Sequence, residues 1–253
     1  MDTLPIELVT IIAVDTFGLF TTLLHVPTIG NRLCGYAQPV AKKKFCKFVE
    51  GPLVTTSYLN GRLHSFNDQP AISYTNGAKY WYKNGNLHRS NKYAVYYSNQ
   101  DREWYCNGLR HRDNDLPAIV YASGDKFWYW KDNLHRENNM PAIVRVSGTK
   151  EWFLNGKRDR CNDQPAIESH NGDKEWYCNS KRHRRDLPAI EYTNGDKTWC
   201  WHGKLHRDND QPAVVNSACK YWCINGKIHR DNKPAIEYVN GDVEYWQNGV
   251  RIK

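Results

Sequence analysis

The sequence predicts a mainly β fold in which an elongated, meandering sheet of β-hairpin repeats follows a small α-helical N-terminal head. Three observations lead to this prediction. The chain matches itself when it is shifted by 23 or 24 residues, which is typical of a repeat array. Asn-Gly pairs such as Asn171-Gly172 and Asn225-Gly226 recur and favour type I′ hairpin turns. The segments between these turns alternate in strand fashion and are rich in β-branched and aromatic residues.

The first part of the chain lacks the repeat and has a different pattern. Apolar residues spaced as Leu8 and Ile12 predict a helix that starts near Pro5. Further helices are expected from Asp15, which can act as a cap, and from Pro39. The predicted domains are a helical head at residues 1–50 and an array of about eight to nine repeats at residues 51–253.

Three side chains recur at a fixed place in each repeat and form columns along the array. The tryptophan column consists of Trp81, Trp104, Trp128, Trp152, Trp176, Trp199 and Trp222, with Tyr245 in the last repeat. The histidine column consists of His64, His88, His111, His135, His183, His206 and His229, with Asp159 in one slot. The arginine column follows it directly and consists of Arg89, Arg112, Arg136, Arg160, Arg184, Arg207 and Arg230. We interpret the tryptophans as a structural aromatic column and the histidine–arginine pairs from His88 onward as a candidate interaction ladder.

One copy of the repeat, at residues 204–213, reads KLHRDNDQPA and gathers residue types that bind metal ions. Asp208, Asn209 and Asp210 are also ordinary turn formers between two strands. Because the motif recurs in several copies, while an enzyme needs one site, we favour a structural interpretation over metal ligation. A pH-sensitive histidine stripe is a third interpretation. No catalytic residue, metal or cofactor is expected.

The formal net charge of the chain is +8. Residues 1–50 contain five Lys or Arg and four acids, so that +7 of this charge lies in the repeats. Such a charge admits an acidic protein surface, phospholipid headgroups or nucleic acid as partners. Acids between the basic residues dilute the field, so a solvated ladder is favoured, in which the arginines pair with acids of adjacent strands.

The eight cysteines fall at varying places in the repeat, so we expect reduced thiols. Cys200 and Cys223 occupy matching slots of neighbouring repeats, and a two-strand step of roughly 10 Å exceeds the reach of a disulfide. The apolar run at residues 6–26 is interrupted by Glu7 and Asp15, so no transmembrane segment is expected. No secretory signal is visible, and we expect a soluble, intracellular protein.

The repeat resembles the MORN (membrane occupation and recognition nexus) family and its shorter variants. Residues 151–157 read EWFLNGK and match the family's W-x-x-N-G-K core, and His111 and His206 match its histidine. The family's glycine after the histidine is an arginine in this chain. The resemblance covers the chain from about Pro52 to Lys253 and implies an elongated β-sheet scaffold that contacts proteins and does not catalyse a reaction.

The start of the chain resembles an F-box, because Leu4-Pro5-Ile6-Glu7-Leu8 is followed by a D-x-x-x-L-x-x-x-L pattern that begins at Asp15. This resemblance implies binding to a Skp1-type ubiquitin-ligase adaptor through Leu4, Pro5, Leu8 and Ile12. The alternative is a helical cap that covers the open edge of the first repeat. An F-box-like start joined to MORN-like repeats resembles proteins of large DNA viruses that infect amoebae.

The leading functional hypothesis is a non-enzymatic structural or protein-interaction scaffold of a large DNA virus, as a minor, capsid-associated component of the virion. Its expected partners are virion proteins, and its expected location is the virion or the host cytoplasm. A second hypothesis is an F-box-type adaptor that recruits substrates to a Skp1-containing ubiquitin ligase. A third, less favoured hypothesis is a protein that binds anionic membranes or nucleic acid through its basic columns.

Overall fold

A computed structural model describes residues 8–14, 44–160 and 162–253. The chain forms two compact units, of which unit 1 extends to Asp113 and includes Ala118–Ala122, and unit 2 contains Asn114–Pro117 and Ser123–Lys253. Every regular element within the described ranges is a β-strand. Unit 1 contains β1 (Leu8–Val14), β2 (Lys44–Glu50), β3 (Val54–Leu59), β4 (Arg62–Leu63), β5 (Ile72–Tyr74), β6 (Lys79–Tyr80), β7 (Tyr82–Lys83), β8 (Asn86–Leu87), β9 (Val95–Tyr96), β10 (Arg102–Glu103), β11 (Tyr105–Cys106), β12 (Leu109–Arg110) and β13 (Ile119–Val120).

Unit 2 continues the same alternation of short strands. It contains β14 (Lys126–Phe127), β15 (Tyr129–Trp130), β16 (Asn133–Leu134), β17 (Ile143–Val144), β18 (Lys150–Glu151), β19 (Phe153–Leu154), β20 (Lys157–Arg158), β21 (Ile167–Glu168), β22 (Lys174–Glu175), β23 (Tyr177–Cys178), β24 (Lys181–Arg182), β25 (Ile190–Glu191), β26 (Lys197–Thr198), β27 (Cys200–Trp201), β28 (Lys204–Leu205), β29 (Val214–Val215), β30 (Cys219–Tyr221), β31 (Cys223–Ile224), β32 (Lys227–Ile228), β33 (Ile236–Tyr238), β34 (Val243–Glu244), β35 (Trp246–Gln247) and β36 (Val250–Arg251).

Each unit contains an antiparallel meander accompanied by a row of small hairpins. In unit 1 the meander runs through β1, β2, β3, β5, β6, β9, β10 and β13, and its hairpins are β7–β8 and β11–β12. In unit 2 the meander runs through β14, β17, β18, β21, β22, β25, β26, β29, β30, β33 and β34. Its hairpins are β15–β16, β19–β20, β23–β24, β27–β28, β31–β32 and β35–β36. The predicted mainly β, meandering hairpin architecture is therefore confirmed.

The tryptophan column marks the point at which the chain leaves the meander and enters a hairpin. In one repeat the backbone N–H of Trp176 donates to the Ala189 carbonyl oxygen at 2.8 Å, and the Trp176 carbonyl accepts the His183 N–H at 3.0 Å. Trp176 is 5% exposed and Ala189 is fully buried. These bonds satisfy backbone groups that belong neither to the strand pairs of the meander nor to those of the hairpin. The buried core can therefore continue from the meander into the hairpin.

The two Asn-Gly places of a repeat form two different turns. In the hairpin turn, Asn225 and Gly226 have φ values of 50° and 86°, which is the predicted type I′ geometry. In the meander turn only the glycine is left-handed, as at Gly172 with φ of 92°. There the Asn171 side chain accepts the Asp173 N–H at 3.2 Å and holds the asparagine in an ordinary conformation. The type I′ prediction was therefore wrong for Asn171-Gly172.

The N-terminal region contains strands at two places where the sequence analysis expected helices. β1 pairs with β2 over seven residues, from Leu8 opposite Glu50 to Val14 opposite Lys44. Residues 8–14 read LVTIIAV, and this β-branched composition favours an extended chain. The other parts of the predicted helical head, Leu4 and Pro5 included, lie outside the described residues. No helix in the described part of the chain is long and apolar enough to cross a membrane.

Candidate interaction surface

Each guanidinium of the arginine column lies over the tryptophan ring of its own repeat. The distance from the guanidinium carbon to the ring centre is 3.9 Å for Arg184 over Trp176 and 3.6 Å for Arg160 over Trp152. The other pairs are Arg89 with Trp81, Arg112 with Trp104, Arg136 with Trp128, Arg207 with Trp199 and Arg230 with Trp222. A cation over an aromatic face is attractive, and the attraction grows as water is excluded.

Most of these arginines also bind an aspartate in the preceding repeat. We call Asp68, Asp115, Asp163 and Asp210 the turn aspartates, because they lie between a histidine-column residue and the next Pro-Ala pair. Arg184 Nε and Nη2 donate to Asp163 Oδ1 and Oδ2, both at 2.8 Å. Hydrogen bonds from Arg89 and Lys92 hold the pKa of Asp68 well below its usual range, and Arg230 and Lys233 do the same for Asp210. The arrangement is a bidentate ion pair between repeats.

The remaining donors of these guanidinium groups bind within their own repeat. Arg184 Nη1 donates to the Pro188 carbonyl at 3.4 Å and to Glu191 at 3.1 Å. The Arg184 side chain is only 11% exposed, although Asp163 is 55% exposed. The arginine column therefore joins repeats to each other, and most of its charge is compensated inside the fold.

The histidine column forms a second set of bonds between repeats. The Nδ1 atoms of six of these rings accept a backbone N–H from the next hairpin turn, as in Asn225 to His206 at 3.2 Å. The same bond joins Asn84 to His64, Asn107 to His88, Asn155 to His135, His202 to His183 and Asn248 to His229. Asp159 takes over this role, because its Oδ2 accepts the Asn179 N–H at 2.8 Å. The slot therefore requires an acceptor, and the histidines fill it in their neutral form.

Several of these rings also contact an acid two residues later through Nε2. The distances are 3.0 Å from His111 to Asp113 and 3.0 Å from His135 to Glu137. Two rings that lack such an acid, His88 and His183, have a pKa lowered mainly by burial and further by a nearby basic side chain, Lys83 and His202 respectively. Burial thus favours the neutral imidazole that the Nδ1 bond requires.

The outer surface of the hairpins carries an apolar and cationic stripe in unit 2. We define the hairpin face as the cross-strand pairs Leu154–Lys157, Cys178–Lys181, Trp201–Lys204 and Ile224–Lys227. Trp201 is 44% exposed and Ile224 is 43% exposed. We call Lys157, Lys181, Lys204 and Lys227 the hairpin lysines; all are exposed. Sequence reasoning missed this face because the columns it followed lie elsewhere in the repeat.

In the hairpins of unit 2 from Phe153 onward, basic residues occur without acidic ones. The hairpin segments 153–158, 177–182, 200–205, 223–228 and 246–251 contain seven Lys or Arg and no Asp or Glu. Arg158 and Arg182 reach back to Glu151 and Glu175 on the meander. No ion pair with a described residue was found for the hairpin lysines. The hairpin face therefore retains positive charge beside exposed apolar groups.

The lysine stems are held in place by the following turn. A Cβ atom built on Gly226 would lie 3.5 Å from Lys204 Cβ, and one built on Gly203 would lie 3.6 Å from Lys181 Cβ. The glycine therefore supplies the left-handed conformation and also the close approach of the neighbouring stem. Successive lysines are consequently placed at a regular interval of about 10 Å, two strand spacings apart.

One hairpin carries an aromatic cluster that the sequence analysis did not single out. The His183 ring stacks on the His202 ring with centroids 4.4 Å apart, and both rings contact Trp201. His202 occupies the asparagine place of the turn and has a φ of 47°. The signal in the sequence was the replacement of Asn-Gly by His202-Gly203. The cluster widens the apolar part of the hairpin face.

The described residues contain no group of three or more His, Cys, Asp or Glu side chains arranged to hold a metal ion. Cys200 and Cys223 are buried free thiols, and burial raises the pKa of Cys223 to about 11. Leu8 and Ile12, two of the residues implicated by the F-box resemblance, lie on β1 opposite Glu50 and Cys46. Comparison of the chain with protein-family models, with curated proteins and with solved structures finds no match. The structure is compatible with the MORN-like repeat on its hairpin series alone.

Proposed function

We propose that the protein is a non-enzymatic scaffold that binds an acidic, partly apolar segment of another protein along the hairpin face of unit 2. The observation that carries this proposal is the charge pattern of the hairpins from Phe153 onward, which leaves exposed lysines and apolar side chains side by side without an acid in these hairpins. Aromatic and aliphatic anchors next to fixed charges are typical of protein interfaces.

The internal bonding of the columns supports the same proposal. Donors of the arginine column and acceptors of the histidine column form hydrogen bonds between repeats, as Arg184 does with Asp163 and His206 with Asn225. The hairpin lysines have no such internal role. A partner would therefore meet the hairpin face, and its charge must be opposite.

A second copy of this chain fits the face poorly. The formal net charge is +8, and the same lysines would face each other across a symmetric contact. An acidic partner gains attraction where a second copy meets repulsion. The proposal therefore commits to an acidic segment of a different protein.

The test uses a fluorescein-labelled peptide of alternating glutamate and leucine, titrated with the full chain and followed by fluorescence anisotropy. We expect saturable binding that weakens as salt rises, because charge contacts are screened. The variant with Lys181→Glu, Lys204→Glu and Lys227→Glu should bind at least about tenfold more weakly, a loss of about 1.4 kcal/mol. Trp201→Ser should also weaken peptide binding, but the dependence of that binding on salt should stay the same, because no charge is removed.

The matched control places the same charge reversals on the meander, as Lys150→Glu, Lys174→Glu and Lys197→Glu, which are also exposed. This variant should bind the peptide more tightly than the hairpin variant. Equal binding by the two variants, or no binding at low salt, would refute the proposed surface. Tighter binding of phosphatidylserine vesicles or of single-stranded DNA than of the peptide would also refute it in favour of a membrane or nucleic-acid partner.

We further propose, on the resemblance described in the sequence analysis, that the scaffold is a minor component of the virion of a large DNA virus. The repetitive, internally bonded array is the kind of element that joins other proteins in an assembly. Mass spectrometry of purified particles tests this placement, and absence of the protein at structural copy number would overturn it.

The alternative function, an adaptor for a Skp1-containing ubiquitin ligase, depends on Leu4, Pro5, Leu8 and Ile12. An F-box presents such residues from helices, whereas Leu8 and Ile12 lie on β1. A pull-down with a purified Skp1-type protein separates the two functions. Binding that is abolished by Leu8→Asp would favour the adaptor over the scaffold.

A further inference from the structure

The turn between the histidine column and the next Pro-Ala pair has two lengths. His206 and Ala213 are seven positions apart, whereas His183 and Ala189 are six apart. The long turn has two consecutive left-handed residues, Asn209 and Asp210, and the short turn has only one, at Asp186. The short turns follow His88, His183 and His229.

In a long turn the second left-handed residue makes two bonds to the next repeat. The Asp210 carbonyl accepts the indole Nε1–H of Trp222 at 3.1 Å, and its carboxylate accepts Arg230 Nε and Nη2 at 2.6 and 3.1 Å. Asp68, Asp115 and Asp163 make the same pair of bonds to the repeats that follow them. The long turn thus supplies a carbonyl to the tryptophan and a side-chain oxygen to the arginine, which is a carboxylate oxygen except at Asn139, whose amide oxygen accepts Arg160 Nε at 3.2 Å.

The repeat that follows the short turn at residues 183–189 receives neither bond. The Nε1 atom of Trp199 is buried and has no hydrogen-bond acceptor. Arg207 lies 3.7 Å above the Trp199 ring, and within the described ranges its side chain donates only to the Pro212 carbonyl, at 3.2 Å. Arg184 binds Glu191 and Arg230 binds Glu237 on the meander. The matching place in the repeat of Arg207 is occupied by Val215. No carboxylate of the described residues contacts Arg207.

The other short turns agree with this rule. The indole Nε1 of Trp104, after the short turn at His88, is also buried without an acceptor. The column residue after the third short turn is Tyr245, which has no indole N–H to satisfy. Loss of one turn residue therefore accounts for both orphaned indoles, and the last repeat has no indole at this place.

Asp186 is the nearest acid of the short turn, but it points elsewhere. Its side chain is 90% exposed and lies 3.6 Å from Arg185. The electrostatic consequence appears in the pKa values, because burial lowers the pKa of Arg207, whereas the hydrogen bond to Asp210 raises that of Arg230. Arg207 is a half-buried cation that lies over the Trp199 ring. It lacks the aspartate that pairs with Arg184 and with Arg230.

We propose that Arg207, which lies over the Trp199 ring, is a binding site for a carboxylate supplied by another molecule, which takes the place that a turn aspartate occupies in the long-turn repeats. The carboxylate is either an acidic side chain of a partner protein or a small free carboxylate, since both present the same bidentate acceptor. The site differs from the hairpin face and does not depend on the hairpin lysines.

The experiment uses the full chain labelled with ¹⁵N at the tryptophan indoles, and Trp199→Phe assigns the Trp199 signal. Sodium glutarate is titrated against sodium chloride and sodium sulfate at equal ionic strength. We expect a saturable shift of the Trp199 indole signal with glutarate alone, and loss of that shift in Arg207→Gln. Arg185→Gln, which removes an exposed arginine of the same turn, should keep the shift.

A second variant guards against a folding defect of Arg207→Gln. Replacement of residues 185–187 by the four residues 208–211 of this chain restores a long turn and should deliver an internal aspartate to Arg207. We expect this variant to be more stable than the parent chain and to bind no glutarate. Unchanged glutarate binding after the replacement would overturn the proposal.

Two more arms complete the test. A hexaglutamate peptide that binds roughly tenfold more tightly than glutarate identifies a protein side chain as the source, and equal affinity identifies a free carboxylate. The site would be overturned if glutarate did not shift the Trp199 indole signal, or if sulfate shifted it as much. Glutarate binding that appears only after Asp186→Asn would overturn it as well. The hairpin variant with Lys181→Glu, Lys204→Glu and Lys227→Glu should keep the glutarate shift, so failure of the two proposals is distinguishable.

Discussion

At the scale of single residues, the arginine column shows how one side chain can join two repeats. Arg184 has the Trp176 ring on one side, the Asp163 carboxylate at its edge and the Pro188 carbonyl beyond. Stacking and bidentate pairing both require a planar guanidinium, which a lysine cannot provide. The choice of arginine at this slot is therefore chemical and not only a matter of charge.

The change Arg184→Lys tests this interpretation. It keeps the charge but removes the stacked plane and one of the two bonds to Asp163, so we expect a loss of about 1–3 kcal/mol in the free energy of unfolding. Urea denaturation followed by tryptophan fluorescence measures it. Arg185→Lys, at an 84% exposed position, is the control and should change stability by less than about 0.5 kcal/mol. Similar losses for both variants would contradict the structural role of Arg184.

The sequence could indicate which residues recur, but it could not indicate their partners. The recurrence of the tryptophans indicated a structural aromatic column, and Trp176 is 5% exposed. The bond from Arg184 to Asp163 joins positions 21 residues apart, and no local pattern encodes the register between repeats. The acid-free hairpins were visible in the sequence as a charge pattern, yet their significance depends on seeing Trp201 and Lys204 on one face.

At the scale of elements, the two turns of each repeat have different requirements. The hairpin turn uses left-handed Asn225 and Gly226, whereas the meander turn needs only a left-handed glycine. Composition predicted both turns, but the same Asn-Gly pair is compatible with either geometry, because the asparagine side chain can hold its own backbone in place. The difference depends on the strands that the turn connects.

The meander glycines permit a matched comparison. A Cβ on Gly172 would lie 2.9 Å from Thr193 Cγ2, whereas one on Gly195 would meet nothing within 4 Å, and the two φ values are 92° and 94°. Both alanine substitutions incur backbone strain of about 1–2 kcal/mol. Gly172→Ala should cost more, because the Thr193 hydroxyl bonds Asp173 and cannot rotate away freely. Equal urea midpoints for Gly172→Ala and Gly195→Ala would contradict this packing argument.

The N-terminal strands show the limit of reading a period from a short segment. Leu8 and Ile12 lie four residues apart, which suits a helical face, but the segment from Leu8 to Val14 is also apolar almost throughout. A continuous apolar run fits either a helix or a buried strand. Pairing with residues 44–50 decided the outcome, and that partner could not be recognised from local sequence.

At the scale of the whole molecule, the histidine column makes stability depend on pH. The Nδ1 atoms of His88 and His183 accept a backbone N–H, so protonation there places a donor against a donor. The folded state therefore favours neutral rings, in agreement with the lowered pKa of His88 and His183. Stability is full above the unfolded-state histidine pKa of about 6.5 and declines as pH falls through the lower folded-state value, since the unfolded chain binds protons first.

The change His88→Asp tests this dependence, because Asp159 shows that a carboxylate can accept the same bond. The urea midpoint of the parent chain should fall between about pH 7.5 and about pH 5.5, and the fall should be smaller in the variant. His170→Asn, which lies outside the histidine column, should keep the slope of the parent chain. A His88→Asp variant with an unchanged slope would show that the column does not set the pH response.

The turn aspartates add a second decline at lower pH. Arginine and lysine donors lower the pKa of Asp68 and Asp210 below the unfolded value of about 3.9, so their contribution is present above that pH and is lost in stronger acid. Function was less accessible than fold from the sequence, because the columns that recur most clearly are those with structural partners. The hairpin face and Arg207 became visible only when those partners were known.

Among the described residues, the bonds that join repeats reach one neighbour and no further, as the separations of 21 residues for Arg184 and 19 for His206 show. A duplication or deletion of one whole repeat would therefore change bonds only between the repeats that become new neighbours. Gene recombination within such an array can lengthen or shorten the protein in single steps without a penalty to the remaining fold. The length of the array is thus free to evolve independently of the chemistry that holds it together.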